Sequence, residues 1–115
     1  MPERIQQRRT KGWRMPLNAR SVARPSKWGN GWRVIHRGGT WDVKTPEGDC
    51  LVRVHREEAA ALAVKFHRDW IVRMLELNTE FHALLVTELA GRDLACYCAL
   101  DMPCHSTTLL ELANA

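Results

Sequence analysis

Residues 94–105 read LACYCALDMPCH. Asp93 to Cys98, DLACYC, is short and apolar enough to be a strand buried on both faces, which belongs near the centre of a sheet. Pro103 suits the first turn of a closing helix, PCHSTTLLELANA, with Leu109, Leu110, Leu112 and Ala113 turned inward. A buried strand, a loop and a helix in that order form a unit of an α/β domain, and the rest of the chain is read outward from it.

Upstream, apolar Ala59, Leu62, Ala63, Phe66, Trp70, Met74 and Leu77 recur at three- and four-residue steps between His55 and Leu77, which predicts an amphipathic helix. Thr79 can cap a second helix that sets Phe81, Leu84, Leu85 and Leu89 on one face and stops at Gly91. Val34–Arg37 and Thr40–Thr45 can pair as a hairpin across Gly38-Gly39, and CLVRV after it is a further strand or the entry to the long helix. Ala19–Pro25 reads as a short strand with Val22 and Ala23 inside, and SKWGNGW as a turn. The expected fold is a single small α/β domain over 1–115. It has a short mixed sheet with an N-terminal strand and hairpin part, two central helices and the C-terminal strand–helix unit. Residues 1–16 form a basic extended arm packed on it, and any Rossmann-like character is analogy at the level of layout.

At 115 residues the chain can bury one core without staples. No apolar run approaches the roughly 20 residues needed to cross a bilayer, and no apolar stretch follows the N-terminal charges, so a cytoplasmic protein with no membrane partner is expected. Charge is unevenly placed. Residues 1–37 carry ten Lys or Arg against one acid, a net of +9, and residues 38–115 carry seven against twelve, a net of −5, which together give the chain its +4. A cationic third on an acidic body points to an anionic ligand gathered there, or to a solvated basic tail.

In a reducing compartment disulfides are disfavoured, which leaves three uses for the cysteines. Along a strand Cys96 and Cys98 point to one face, and Cys104 and His105 return after a five-residue loop. Cys96, Cys98, Cys104 and His105 make up a Cys3His inventory suited to zinc, although C-x-C followed by adjacent Cys-His is tighter than the usual zinc spacing. Alternatively the group sits beyond a strand end at a helix start, where Cys98 or Cys104 could act as nucleophile and His105 as acid or base. The third possibility is plain packing of small side chains. Trp13, Trp28, Trp32 and Trp41 lie among Arg8, Arg9, Lys11, Arg14, Arg24, Lys27 and Arg33, a mixture of flat rings and cations that suits bases and phosphates, or simply a core with solvated charges around it.

Three stretches, RIQQRRTKGWRMP, ARPSKWGN and GRDLACYCALDMPCH with LLELAN, resemble a small family of bacterial and phage proteins, domain of unknown function 4326. The matching positions are Lys11, Gly12, Trp13, Arg14, Arg24, Pro25, Lys27, Trp28, Gly29, Asn30, Cys96, Cys98, Cys104 and His105. Gly31 stands where that family usually has proline, and Tyr97 where tryptophan is common. The resemblance implies that arm, turn and cysteine cluster form one unit around one cleft. The expected function is binding of a phosphorylated ligand, a nucleotide, nucleotide derivative or nucleic-acid end, with hydrolysis or group transfer if chemistry occurs. Trp13 or Trp28 would stack, Arg14, Arg24 and Lys27 would hold phosphate with Lys11 nearby, and Asn30 would orient. The rival readings are a zinc-stabilised DNA- or RNA-binding accessory protein without catalysis, and a protein-interaction module.

Overall fold

The strand built from the opening stretch, Asp93–Cys96, lies in the middle of a three-stranded parallel sheet. One neighbour is β1 (Arg4–Gln6) and the other is β2 (Ala19–Ser21). In chain order the remaining elements are β3 (Arg33–Arg37), β4 (Thr40–Lys44), β5 (Cys50–Val54), α1 (Arg56–Leu77), α2 (Thr79–Leu89), the central strand as β6, and α3 (His105–Ala113). The computed structural model describes residues 2–115, and of residues 37 and 51–53 the backbone.

The α/β class holds, with two central helices and a closing strand–helix unit. Its parallel and antiparallel pairs are segregated: β1-β6-β2 are parallel, and β3-β4-β5 form an antiparallel sheet of their own. The hairpin turns at Gly38, whose φ of 62° suits a residue without Cβ, and CLVRV is the third antiparallel strand.

Three expectations change. Residues 4–6 of the predicted arm are an edge strand in register with Leu94–Cys96, and the pairing continues as Gln7 N–H donates to the Cys96 carbonyl at 2.8 Å. Met1, counted in the arm, lies outside the described residues. The last helix starts two residues later than predicted, with Cys104 as its N-cap and Pro103 before it. The second helix is capped not by Thr79 but by Asn78, whose side chain accepts from the N–H groups of Glu80 and Phe81.

Helix α1 joins the two sheets. Ala59 and Ala63 in its first half pack with Val43 of the antiparallel sheet, and Ile71 further on joins the core beneath the parallel sheet with Leu85, Leu89, Leu94 and Leu109. Its buried stripe is Ala59, Ala63, His67, Ile71, four residues apart, so small side chains and a histidine face inward. Trp70 and Leu77, placed inside by the apolar count, are 38% and 72% exposed.

The KWGN turn is built into this core. The Trp28 ring is 1% exposed and packs on Phe81 with ring centres 5.2 Å apart. A Cβ on Gly29 would come within 3.0 Å of the Arg24 backbone, so chain meets chain here without room for a side chain. Gly29→Ala is expected to destabilise by about 1–3 kcal/mol, the usual cost of overpacking, read as a lower urea midpoint at unchanged slope.

Glu88 of α2 fastens the same turn. Its carboxylate accepts from Lys27 Nζ at 2.8 Å, Arg20 Nη2 at 2.9 Å and the Trp28 indole N–H at 3.3 Å. The Lys27 hydrogen bond, ahead of those from Trp28 and the charge of Arg20, holds the Glu88 carboxyl below its ordinary range. The unfolded chain therefore takes up this proton first as pH falls, and the stability Glu88 supplies is complete above its ordinary value of 4.5 and lost as pH drops through the lower folded value. Glu88→Gln should cost about 1 kcal/mol at neutral pH and flatten the acid limb of a stability–pH profile from urea unfolding.

Candidate ligand cleft and cysteine cluster

Because the three strands of the first sheet run parallel, their carboxyl ends share one edge, where ligands of open α/β sheets are held. Arg9 follows β1, Ala23 and Arg24 follow β2, and Cys96 to Cys104 lead from β6 into α3. Arg9, Ala23, Arg24, Cys96 to Ala99 and Met102 to Cys104 form one wall of a cleft of about 470 Å³. The opposite wall comes from the antiparallel sheet and the start of α1, with Trp32, Trp41, Arg56 and Ala63. The basic N-terminal part and the thiol-rich C-terminal part thus meet around one hollow.

Three arginines, Arg9, Arg24 and Arg56, reach this cleft, and among its described lining residues there is no Asp or Glu. Arg24 Nη1 donates to the Asn30 carbonyl at 2.9 Å, which sets the guanidinium at the rim. The Arg9 guanidinium lies 4.1 Å from the centre of the Tyr97 ring, and that of Arg56 lies 5.9 Å from the centre of the Trp41 ring. Trp32 is backed by Phe66 with ring centres 6.3 Å apart, and Trp41 by His36 at 4.4 Å.

Asn30 is a buried brace. Its Nδ2 donates to the Ala63 carbonyl at 3.0 Å and its Oδ1 accepts the Trp32 N–H at 2.9 Å, so it ties the turn after the first wall to α1 in the second.

At the floor lie the sulfurs. Cys96 Sγ is 3.8 Å from Cys98 Sγ, Cys104 Sγ is 3.6 Å from His105 Nδ1, and one ligand atom each from Cys96, Cys104 and His105 falls within 4.8 Å of the others. No disulfide links Cys96, Cys98 and Cys104. The His105 Nε2–H donates to the Val22 carbonyl at 2.7 Å, which leaves Nδ1 with a lone pair turned to Cys104. Hydrogen bonds from Cys96 and Cys98 favour the thiolate of Cys104 and lower its pKa, while donation to Cys104 raises that of Cys98. His67 stands edge-on to His105 with ring centres 5.0 Å apart and is pushed down to about 4, by burial first and by the neighbouring His105 second. Its Nε2–H donates to the Trp28 carbonyl at 3.2 Å.

Of the residues singled out in the sequence, Arg24, Asn30, Cys96, Cys98, Cys104 and His105 line the cleft. Lys11, Trp13 and Arg14 are not among its lining residues; Lys11 and Trp13 belong to a turn closed by the Trp13 N–H on the Thr10 carbonyl, and Arg14 follows it. Lys27 is engaged by Glu88, and Trp28 is a core residue with no ring face open for stacking. Arg9, Trp32, Trp41, Arg56 and His67 were not assigned a role from sequence. The first three stood among the interleaved aromatics and cations, but nothing in their spacing separates cleft rings from core rings. Arg56 and His67 are single positions on a long helix, and only the packing of α1 across both sheets makes them neighbours of the cluster.

No helix among the described residues is long and apolar enough to cross a membrane. No curated protein and no solved structure is detectably similar to this chain. The model of one protein family, described as Domain of unknown function (DUF4326), matches residues 5–115. The turn, the cysteine cluster and all but the first four residues of the arm fall inside that span, and the chain belongs to this family.

Proposed function

We propose that the cleft binds a small phosphorylated ligand with a flat ring, of which a nucleotide or nucleotide derivative is the representative chemistry. The observation that carries this reading is the lining itself: among the described residues three arginines and no carboxylate, beside the rings of Trp32, Trp41 and Tyr97, at the carboxyl edge of a parallel sheet. A cavity of about 470 Å³ falls within the range of small-molecule sites, of the order of 300–1,000 Å³. Arginine forks suit phosphate oxygens, and an indole edge or face suits a base.

The reading is of binding rather than turnover. Cys104 is 2% exposed and His105 4%, and both ring nitrogens of His105 face protein groups, Val22 and Cys104, so no proton position is offered to a ligand.

Nucleoside monophosphates at millimolar concentration should raise the melting temperature of the full chain, and Arg24→Ala should weaken binding by about 10–100-fold, the equivalent of one charge-assisted hydrogen bond. A nucleic-acid end gives a different signature in the same assay: oligonucleotides bind where mononucleotides do not, with affinity falling steeply as salt rises. Absence of any shift with either probe contradicts the proposal.

A further inference from the structure

We infer that Cys96, Cys98, Cys104 and His105 form a closed four-ligand zinc site, with Nδ1 as the histidine donor. Edge lengths point to this site independently of any ligand in the cleft. A tetrahedral zinc with Zn–S of about 2.3 Å and Zn–N of about 2.0–2.1 Å has S···S edges of about 3.8 Å and S···N edges of about 3.6 Å. The Cys96–Cys98 sulfur pair is 3.8 Å apart and the Cys104 sulfur is 3.6 Å from His105 Nδ1. Both separations match edges of such a tetrahedron, and the ligand atoms of Cys96, Cys104 and His105 lie within 4.8 Å of one another.

The surroundings agree with this donor set. Metal-bound imidazoles commonly give their second N–H to a carbonyl, and the 2.7 Å hydrogen bond from His105 Nε2 to the Val22 carbonyl does so. Cys96, Cys104 and His105 are buried, which is the setting of a structural rather than an open site. The adjacent Cys104 and His105, too tight in sequence for an ordinary zinc hairpin, serve one centre because Cys104 is the N-cap and His105 the first residue of α3. The extended cap turns its side chain differently from the helical residue after it. Loading forms three Zn–S bonds and one Zn–Nδ1 bond in place of the water ligands of aqueous zinc, and the protons of the three thiols pass to solvent. The ion would tie the end of β6, the following loop and the start of α3 into one knot.

The full chain, purified without added metal, should carry one zinc per molecule by elemental analysis. Cobalt in its place should show the intense ligand-field bands of a tetrahedral site and thiolate charge-transfer absorption. In the metal-loaded chain only the exposed Cys50 should react quickly with a thiol reagent, and a chelator should release the other three. Cys98→Ser should weaken zinc by at least about tenfold, the lower end of what losing even an outer-shell partner costs, whereas Cys50→Ser should leave it unchanged. A chain that takes up neither zinc nor cobalt on reconstitution overturns the inference, as does fast reaction of Cys96, Cys98 and Cys104 with metal present. Neither result depends on a variant that folds, and neither bears on nucleotide binding.

Discussion

Trp28→Ala is expected to destabilise the protein by about 3–5 kcal/mol, the usual cost of deleting a large buried ring, which is a large share of the roughly 5–15 kcal/mol that holds a typical domain folded. Trp28 is 1% exposed and belongs to the cluster that includes Val22, Leu85, Leu94 and Cys104. Losing it opens a cavity between the parallel sheet and α2, strands the Glu88 carboxylate from one of its donors and removes the ring against Phe81. Trp28→Phe separates the core role from a stacking role. It should cost less, lose the indole hydrogen bond and leave ligand affinity within about twofold, because the ring does not reach the cleft and a change under 0.5 kcal/mol is typical of sites without contact. Denaturant melts and a binding isotherm on the two variants check this.

The second large effect concerns Asn30. Asn30→Ala leaves the part-buried Trp32 N–H without its partner and breaks the buried tie to the Ala63 carbonyl, at an expected cost of about 2–3 kcal/mol. Trp32 also lines the cleft, so the same variant should weaken the bound ligand. A loss of stability without any loss of affinity would show that Asn30 braces the fold but not the site. Equilibrium unfolding and isothermal titration on one preparation read both quantities.

Much of this layout could be read before any coordinates. Asp93 to Cys98 is apolar without alternation, and its first four residues are the central strand. Gly38-Gly39 between alternating residues is a hairpin. The seven apolar residues between His55 and Leu77 mark a helix that ends where they end. The inward face of that helix was misread for a physical reason. An apolar count favours Trp70 and Leu77, whereas the buried stripe contains His67, a polar residue made acceptable inside by its hydrogen bond to the Trp28 carbonyl. Strands of three residues, such as Arg4–Gln6, are too short for any period to show, so a basic edge strand reads as an arm.

The candidate site was legible in chemistry and less so in address. Cys96, Cys98, Cys104 and His105 lie together in the lining of one cleft, and Arg24 and Asn30 belong to the same lining. The choice among tryptophans could not be made from the chain alone, because Trp28 and Trp32 lie four residues apart around the same glycines. Which ring is core and which is wall is decided by α2, whose Phe81 and Glu88 take Trp28 and leave Trp32 to Phe66.

The central claim is that residues distant in the chain build one ligand site. Titration of a nucleoside monophosphate into isotope-labelled protein, followed by amide chemical-shift mapping, tests it directly. Concerted shifts are expected at Arg9, Arg24, Asn30 to Val34, Arg56 and Cys96 to His105, with the amides around Lys11 and Trp13 little changed. Shifts confined to the Lys11–Arg14 segment, or none at saturating ligand, would contradict it.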